Sequence, residues 1–331
     1  MSDEAIGLGI NNCRTVADVV DQVAEADRLG AEIAFISEDV NCRDAFQLAA
    51  LAAVRTDKIR LATGVVNPYT RNPTALAMSI ATLDEISQGR AVLGLGSSSP
   101  SLVRDQMGLV HAGSVVRMRE TVEIVSRLLA GEEVSFGGKH FRYASAKLEV
   151  PTVQGKIPIY LAAMGPAMLR LAGMMADGAL LNVGASLEYT QWAVAVIRAG
   201  EAEAGRPPGS VRVAAWLAVY LNPDRRVALA RARSLLATML SIPGQGELLL
   251  ERSGEPIDLL GEIRRRYQAY PHRGNLEAAA ELIPDDLAER LTFIGDRAAV
   301  RKKMEQYRAA GIDVPVVGPA ALRYLLTAAG R

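Results

Sequence analysis

Two apolar stretches between residues 59 and 95 have the pattern of buried strands. Ile59 to Val66 has a single charge near its start, and Ala91 to Leu95 has none. Such runs, rich in β-branched residues, are typical of parallel strands covered on both faces. Between them, apolar residues recur at three- and four-residue spacing, which predicts a helix that begins at Asn72 and ends at Gly89. Strand, helix and strand together predict a βαβ unit.

The same alternation recurs along the whole chain. Eight strand-like runs begin near residues 5, 33, 59, 91, 157, 178, 211 and 314, and a helical pattern follows each of them. Eight such pairs close a (β/α)8 TIM barrel, so we predict a single barrel domain over residues 1–331. The alternative is a doubly wound sheet. It is disfavoured because Gly94 and Gly96 lack the third glycine of a dinucleotide-binding turn, where Ser99 stands instead.

Two segments depart from the alternation. Residues 131–150 predict an inserted β-hairpin that turns at Gly137 and Gly138. Residues 224–290 are helical but interrupted by Pro and Gly, which predicts a helical excursion before the last strand. We also expect one long strand from Val211 to Leu221 and a closing helix from Ala320 to Ala329.

Composition narrows the class of ligand. The 331 residues are 50% hydrophobic, and 37 basic residues balance 37 acidic ones. A net charge of zero gives no attraction to nucleic acid or to anionic lipid, so we expect a small-molecule ligand. The first ten residues lack the basic and apolar regions of a signal peptide, and no apolar run approaches about 18 residues. These features predict a cytoplasmic protein without a membrane segment.

Cysteine and histidine are too sparse to predict a metal site. The only cysteines are Cys13 and Cys42, and His111, His140 and His272 lie far apart in the sequence. In a cytoplasmic protein, two cysteines are more often small, at least half-buried residues than a disulfide, so we expect free thiols. None of the histidines belongs to a recognisable nucleophile motif.

Polar residues follow several predicted strands, where parallel α/β folds bind ligands. Asn67 follows the third strand, and Ser97 to Ser99 follow the fourth. Gly64 lies inside the third strand, where glycine marks either a bulge, a close approach or simple packing. The loop after the second strand carries three acids and one Arg. Asp44 can cap the next helix, whereas Glu38 and Asp39 have no such explanation.

A further candidate site lies where the fifth strand passes into its helix. Gly165 followed by Pro166 places free backbone N–H groups at a helix N-terminus, which suits an anionic group such as a phosphate. A Gly-Pro turn between a strand and a helix also occurs without any ligand, so both interpretations stay open at this point.

Several segments resemble the bacterial-luciferase-like barrel superfamily, in particular its deazaflavin-dependent branch with methylene-tetrahydromethanopterin reductase. The most specific is TGVVNPYTRNPTALAMSIATLDEISQGRAVLGLGSS. It is supported by NCRD at residues 41–44, GPAMLRLAGMMADGALLN at residues 165–182 and AAGIDVPVVGP near the end. The resemblance implies binding of coenzyme F-420, an 8-hydroxy-5-deazaflavin, or of FMN at the C-terminal mouth of the barrel. It also implies a homodimer.

By the same resemblance, particular residues acquire cofactor-binding roles. Gly64 and Val65 are expected to form a non-prolyl cis peptide behind the tricyclic ring. The helix N-terminus is expected to hold the cofactor phosphate through Gly165, Pro166, Ala167 and Met168. Asp39, Asn67 and Ser97 complete the predicted cofactor contacts.

The chain departs from the family at three positions that bear on which residue donates a proton to the substrate after hydride transfer. Asp39 stands where relatives have His, Ser99 where they place a carboxylate, and Gly9 where the methanopterin enzyme has Glu. We therefore predict that Asp39 is the proton donor or orients one, with Glu38 or water as alternatives and Ser99 as a relay. Asp39 would otherwise bind the cofactor or form an ion pair with Arg43.

The sequence thus predicts an F-420-dependent oxidoreductase that transfers a hydride from the deazaflavin C5 to a C=C or C=N bond. Two alternatives remain at this stage. One is an FMN-dependent monooxygenase of the same fold, and the other is a cofactor-binding homologue without catalytic activity.

Overall fold

Eight parallel strands form a closed barrel in the computed structural model, which describes residues 5–269 and 272–327. Each strand pairs with the next along the chain, and β8 pairs with β1. In register, Gly9 of β1 lies beside Phe35 of β2, and Val316 of β8 lies beside Trp216 of β7. The predicted (β/α)8 barrel is confirmed. The strands are β1 Gly7–Ile10, β2 Ile33–Ile36, β3 Arg60–Thr63, β4 Ala91–Leu95, β5 Ile159–Ala162, β6 Gly178–Leu181, β7 Arg212–Leu217 and β8 Val314–Val317.

Helices cover the outside of the barrel. Two of them begin at the predicted residues, because the side chains of Asp44 and Asn72 accept hydrogen bonds from first-turn N–H groups, and Thr15 caps α1 in the same way. The helices of the first six strands are α1 Val16–Arg28, α2 Ala45–Ala53, α3 Pro73–Ile86, α4 Ser114–Leu129, α5 Pro166–Met175 and α6 Leu187–Glu203. A π-helical turn, Leu102–Gln106, precedes α4.

The helical excursion lies between β7 and β8. It contains α7 Arg225–Ser241, α8 Gln245–Arg252, α9 Leu259–Arg266, α10 Leu276–Ala280 and α11 Asp285–Leu291. The barrel then closes with α12 Arg297–Ala309, β8 and α13 Pro319–Leu326. The predicted helix from Ala320 to Ala329 therefore begins one residue earlier than expected, and its last two residues lie outside the described part of the chain.

Three predicted strand boundaries were wrong. The stretch Val211 to Leu221 divides after Leu217, because Val219–Tyr220 leaves the barrel and pairs with Phe293–Ile294 beside the excursion. The stretch Ile59 to Val66 forms a regular strand only to Thr63, after which the ladder is interrupted. The hairpin strands are Val134–Gly137 and Arg142–Ala146, so the chain turns over residues 138–141 rather than at Gly137. Inside the excursion, two strands of two residues each, Tyr267–Gln268 and Arg273–Gly274, pair antiparallel.

Two apolar layers hold the barrel together. The outer layer joins the strands to the helices, and the inner layer fills the barrel with alternate strand residues such as Phe35, Tyr160 and Leu180. Large inner rings need glycine opposite them. A Cβ on Gly9 would lie 2.5 Å from the ring of Trp216. In the described part of the chain, we find no helix that is long and apolar enough to cross a membrane.

Candidate active site

A cavity of about 680 Å³ opens at the C-terminal ends of the barrel strands. This is the face on which (β/α)8 barrels carry their active sites. The structure brings every predicted site residue to the wall of this cavity, although it does not test their roles. They are Glu38, Asp39, Gly64, Val65, Asn67, Ser97, Ser99, Gly165, Pro166, Ala167 and Met168.

The end of β3 forms one wall of the cavity. The peptide bond between Gly64 and Val65 is cis. Pairing with β4 resumes at the next residue, where Val66 forms an isolated parallel bridge with Leu95. Glycine is required here, because a Cβ on Gly64 would lie 2.8 Å from the Cβ of Phe35. The predicted role of this peptide behind a cofactor ring stays a prediction.

Asn67 and Ser97 lie at the start of the loops that follow β3 and β4 and frame this wall. The side-chain oxygen of Asn67 accepts hydrogen bonds from the N–H groups of Tyr69 and Thr70, both at 3.0 Å. This side-chain oxygen therefore stabilises the turn that follows β3. His111 lies 3.3 Å from the carbonyl oxygen of Ser97 and stacks on Tyr69, with 5.1 Å between the ring centres. His111 therefore joins the loops after β3 and β4.

The N-terminus of α5 lies on the wall formed by the loop after β5. Its N-cap, Gly165, has no side chain to accept from the first N–H groups, unlike the caps of α1, α2 and α3. The helix end therefore keeps unpaired N–H groups and the positive end of its dipole at the cavity. Tyr189 fixes the preceding turn by donating to the carbonyl of Met164 at 2.8 Å. Burial raises the pKa of Tyr189 far above its usual value, so it remains a neutral donor.

Asp39 lies on the opposite side of the barrel mouth, in the loop after β2. Its carboxylate accepts hydrogen bonds from the Asn11 amide and, at 3.3 Å, from the Ser37 hydroxyl. The fully buried Asn12 holds the backbone here, because its side-chain oxygen accepts from the Asp39 N–H at 3.0 Å. The alternative ion pair with Arg43 was wrong in this structure, since that guanidinium donates to the Cys13 carbonyl at 3.1 Å.

Glu38 lines the cavity, but both of its oxygens are engaged elsewhere. Arg71 binds both oxygens and also binds Asp44, while the N–H of Ala45 donates to Glu38 at 3.1 Å. The side chains of Arg71 and Glu38 are only 18% and 13% exposed. Burial alone would lower the pKa of Arg71, but hydrogen bonding to Glu38 and the charges of Glu38 and Asp44 raise it above its usual value. This network gives Glu38 a structural role, and its catalytic role stays a prediction.

Ser99 begins the turn that leads into the π-helical residues. Its hydroxyl oxygen accepts from the Leu102 N–H at 3.3 Å and lies 3.2 Å from the hydroxyl oxygen of Ser101. Ser98 adopts a left-handed conformation with φ of 55°. The hydroxyl of Ser99 is thus held at the cavity wall by its own turn, and its role as a proton relay stays a prediction.

Cys13 and Cys42 form a disulfide, so the expectation of free, at least half-buried thiols was wrong. Both residues are exposed, and their Cα atoms lie 5.0 Å apart. They meet because β1 and β2 are neighbouring strands whose following loops lie side by side. The bond joins the loop that carries Asn11 to the loop that carries Asp39.

Sequence reasoning missed several residues of the cavity. Trp216 of β7 faces the interior, and Met239, Ile242 and Gln245 reach the cavity from the excursion. Ala214 and Trp216 lie two residues apart on the inner face of β7, and side chains alternate in direction along a strand, so the strand assignment already allowed Trp216 to point inward. No local signal indicated which excursion residues would reach the mouth.

A closed (β/α)8 barrel with a cavity at its C-terminal mouth, onto which an uncapped helix N-terminus opens, is typical of barrel enzymes. The family model for luciferase-like monooxygenases matches residues 3–314. The chain belongs to this bacterial-luciferase-like family.

Its relatives include two 5,10-methylenetetrahydromethanopterin reductases. The chain is 31% identical over 333 residues to the 5,10-methylenetetrahydromethanopterin reductase of Methanopyrus kandleri, covering 96% of this chain and 93% of the relative. It is 31% identical over 293 residues to the reductase of the same name from Archaeoglobus fulgidus, covering 88% and 86%. The solved coenzyme F420-dependent tetrahydromethanopterin reductase from Methanopyrus kandleri superposes with a TM-score of 0.88, at 29% identity and 98% coverage of both chains. The resemblance to this branch is confirmed.

Proposed function

We propose that the protein is a coenzyme F-420-dependent oxidoreductase that transfers a hydride to a C=C or C=N bond of a small organic substrate. The observation that carries the proposal is the likeness over nearly the whole chain to reductases of the F420-dependent branch. The uncapped N-terminus of α5, which opens on the cavity, supports a cofactor that bears a phosphate.

The residues present fit this cofactor. The first turn of α5, from Gly165 to Met168, would hold the phosphate through its unpaired N–H groups. A Cβ built on Gly165 meets no described atom within 4 Å, so space is open at this helix end. A cavity of about 680 Å³ falls in the range of about 300 to 1,000 Å³ that is usual for ligand sites. When bound, the reduced deazaflavin supplies a hydride from C5.

We propose that Asp39 donates the proton that the substrate needs after hydride transfer, or orients the group that does. Addition of a hydride to a C=C or C=N bond leaves a carbanion or an amide nitrogen that must be protonated. Asp39 lines the cavity and is fixed by Asn11 and Ser37, whereas Glu38 is held by Arg71. Ser99, also on the wall, would relay a proton rather than supply one.

An FMN-dependent monooxygenase remains the second candidate, because the N-terminus of α5 also suits the phosphate of FMN. The family to which the chain belongs is named for luciferase-like monooxygenases. A cofactor-binding homologue without catalysis is the third candidate, since the family's usual His is replaced by Asp39.

The experiment that tests the proposal follows hydride transfer and oxygen separately. Reduced deazaflavin is mixed with the protein and a panel of electron-poor alkenes and imines without oxygen, and reoxidation is followed by absorbance. We expect reoxidation that depends on the alkene or imine. A change in oxygen uptake by reduced FMN relative to the protein-free reaction, together with no reaction of reduced deazaflavin, would support the monooxygenase. No reaction attributable to the protein with either reduced cofactor would support the third candidate, a cofactor-binding homologue without catalytic activity.

We further propose a homodimer in the cytoplasm; disulfides are rare there, so the Cys13–Cys42 bond counts against this location and makes it the part to be tested. Two neighbouring helices expose apolar side chains that a second copy would cover, since Leu51 on α2 is 47% exposed and Met78 on α3 is 55% exposed. We expect light scattering to give twice the chain mass, and Met78→Glu to give a monomer. A monomeric mass for the wild-type protein would contradict the dimer.

The cytoplasmic location is tested by fractionating the cells that produce the protein and finding which fraction contains it.

A further inference from the structure

The ring of Trp216 forms part of the cavity wall. Its side chain points inward from β7 and packs on the inner apolar layer, yet it remains half-buried because it borders the cavity. The ring reaches across β8 to β1, where Gly9 leaves room for it. A Cβ at that position would lie 2.5 Å from the ring. The absence of a side chain at position 9 therefore permits an indole at this place.

The surroundings of the ring are apolar. Leu180 of β6 and Val65 of the cis peptide lie in the same inner layer, and Met239 and Ile242 line the cavity from the excursion. An indole among such side chains offers a flat surface on which an aromatic or conjugated group can stack.

The charges at the cavity wall are one-sided. Among the described residues that line it, Glu38 and Asp39 are acidic and none is Lys, Arg or His; Glu38 is paired with Arg71, so the carboxylate of Asp39 is the one without a cationic partner there. The wall's evident anion-accepting element is the α5 terminus, which follows β5. In an eight-stranded barrel β5 lies directly across from β1, so Gly9 and the ring above it are on the far side from that terminus.

We propose that the substrate binds against the part of the cavity wall formed by the Trp216 indole, and that this surface selects flat, uncharged molecules over anionic ones. This inference rests on the proposed function, and it gives that function a substrate class. A conjugated ketone, amide or neutral imine would stack on the indole. A carboxylate or phosphate there would lose its hydration without gaining a cationic partner, which disfavours its binding.

The test uses two probes of the same shape, benzamide and benzoate, of which only benzoate is charged. Calorimetric titration of the purified protein is expected to show benzamide binding at least tenfold more tightly than benzoate. Trp216→Leu should weaken benzamide binding at least tenfold. Trp192→Leu is the matched control, because Trp192 lies on α6 against Tyr189 and Arg252. Gly9→Ala, which keeps the indole but displaces it, should also weaken benzamide binding.

Two results would overturn the inference: benzoate binding as tightly as benzamide, or benzamide binding unchanged in both Trp216→Leu and Gly9→Ala. Thermal melting of each variant confirms that it is folded. Each protein is also titrated with oxidised deazaflavin. A protein that binds the deazaflavin but prefers benzoate refutes the substrate class alone. One that shows the expected probe preference without binding the deazaflavin refutes the proposed cofactor alone.

Discussion

Asp39→Asn is expected to slow the chemical step about 100-fold while changing affinity for the deazaflavin little. The substitution keeps the size of the side chain and an oxygen that can accept from Asn11 and Ser37. It removes the group that can give up or take a proton, and general acid–base groups contribute about 10²- to 10⁴-fold. Single-turnover reoxidation of reduced deazaflavin by an accepted alkene or imine measures the step directly.

Asp44→Asn is the matched control for this prediction. Asp44 lies in the same loop, but its carboxylate caps α2 and binds Arg71. We expect its replacement to reduce stability and leave the chemical step close to normal. Weaker cofactor binding with normal chemistry in Asp39→Asn would contradict the acid role. It would make Asp39 a binding residue and leave protonation to solvent.

Ala167→Glu is expected to weaken deazaflavin binding about 10- to 100-fold without destabilising the barrel. Ala167 is exposed in the first turn of α5, so Glu fits there. Its carboxylate would compete with a phosphate for the same N–H groups. Two unit charges about 4 Å apart repel by about 1 kcal/mol in water and about 4 kcal/mol near a protein surface.

The stability of this variant separates a binding effect from damage. An acidic residue in the first turn stabilises a helix by about 0.3 to 1 kcal/mol, so the melting temperature should stay constant or rise. Ala167→Gln has nearly the same shape without the charge and should bind the cofactor almost normally. Unchanged affinity in Ala167→Glu would show that the cofactor phosphate does not bind at this helix end.

Much of the fold was predictable because its signals are local. The uncharged run at Ala91 to Leu95 gave the strand boundaries correctly, and the caps at Asp44 and Asn72 located two helices. The misplaced boundaries have non-local causes. Val219–Tyr220 leaves the barrel because a distant segment, Phe293–Ile294, pairs with it, and no pattern within the strand reveals that partner.

The location of the site was predictable for a geometric reason. The carboxyl ends of parallel barrel strands converge on one face, so residues after different strands meet at one cavity. The missed features depend on neighbours across space. Arg71 binds Glu38 from the loop after another strand, Cys13 meets Cys42 across adjacent loops, and Trp216 fills the space above Gly9. Sequence spacing does not encode such pairs.

The claim that this cavity binds a deazaflavin is tested most directly by titrating the purified protein with oxidised coenzyme F-420 and with FMN, following cofactor fluorescence. The proposal predicts saturable binding of F-420 to the wild-type protein at least tenfold tighter than that of FMN, and about 10- to 100-fold weaker F-420 binding in Ala167→Glu but not in Ala167→Gln. FMN binding equal to or tighter than F-420 binding would contradict it.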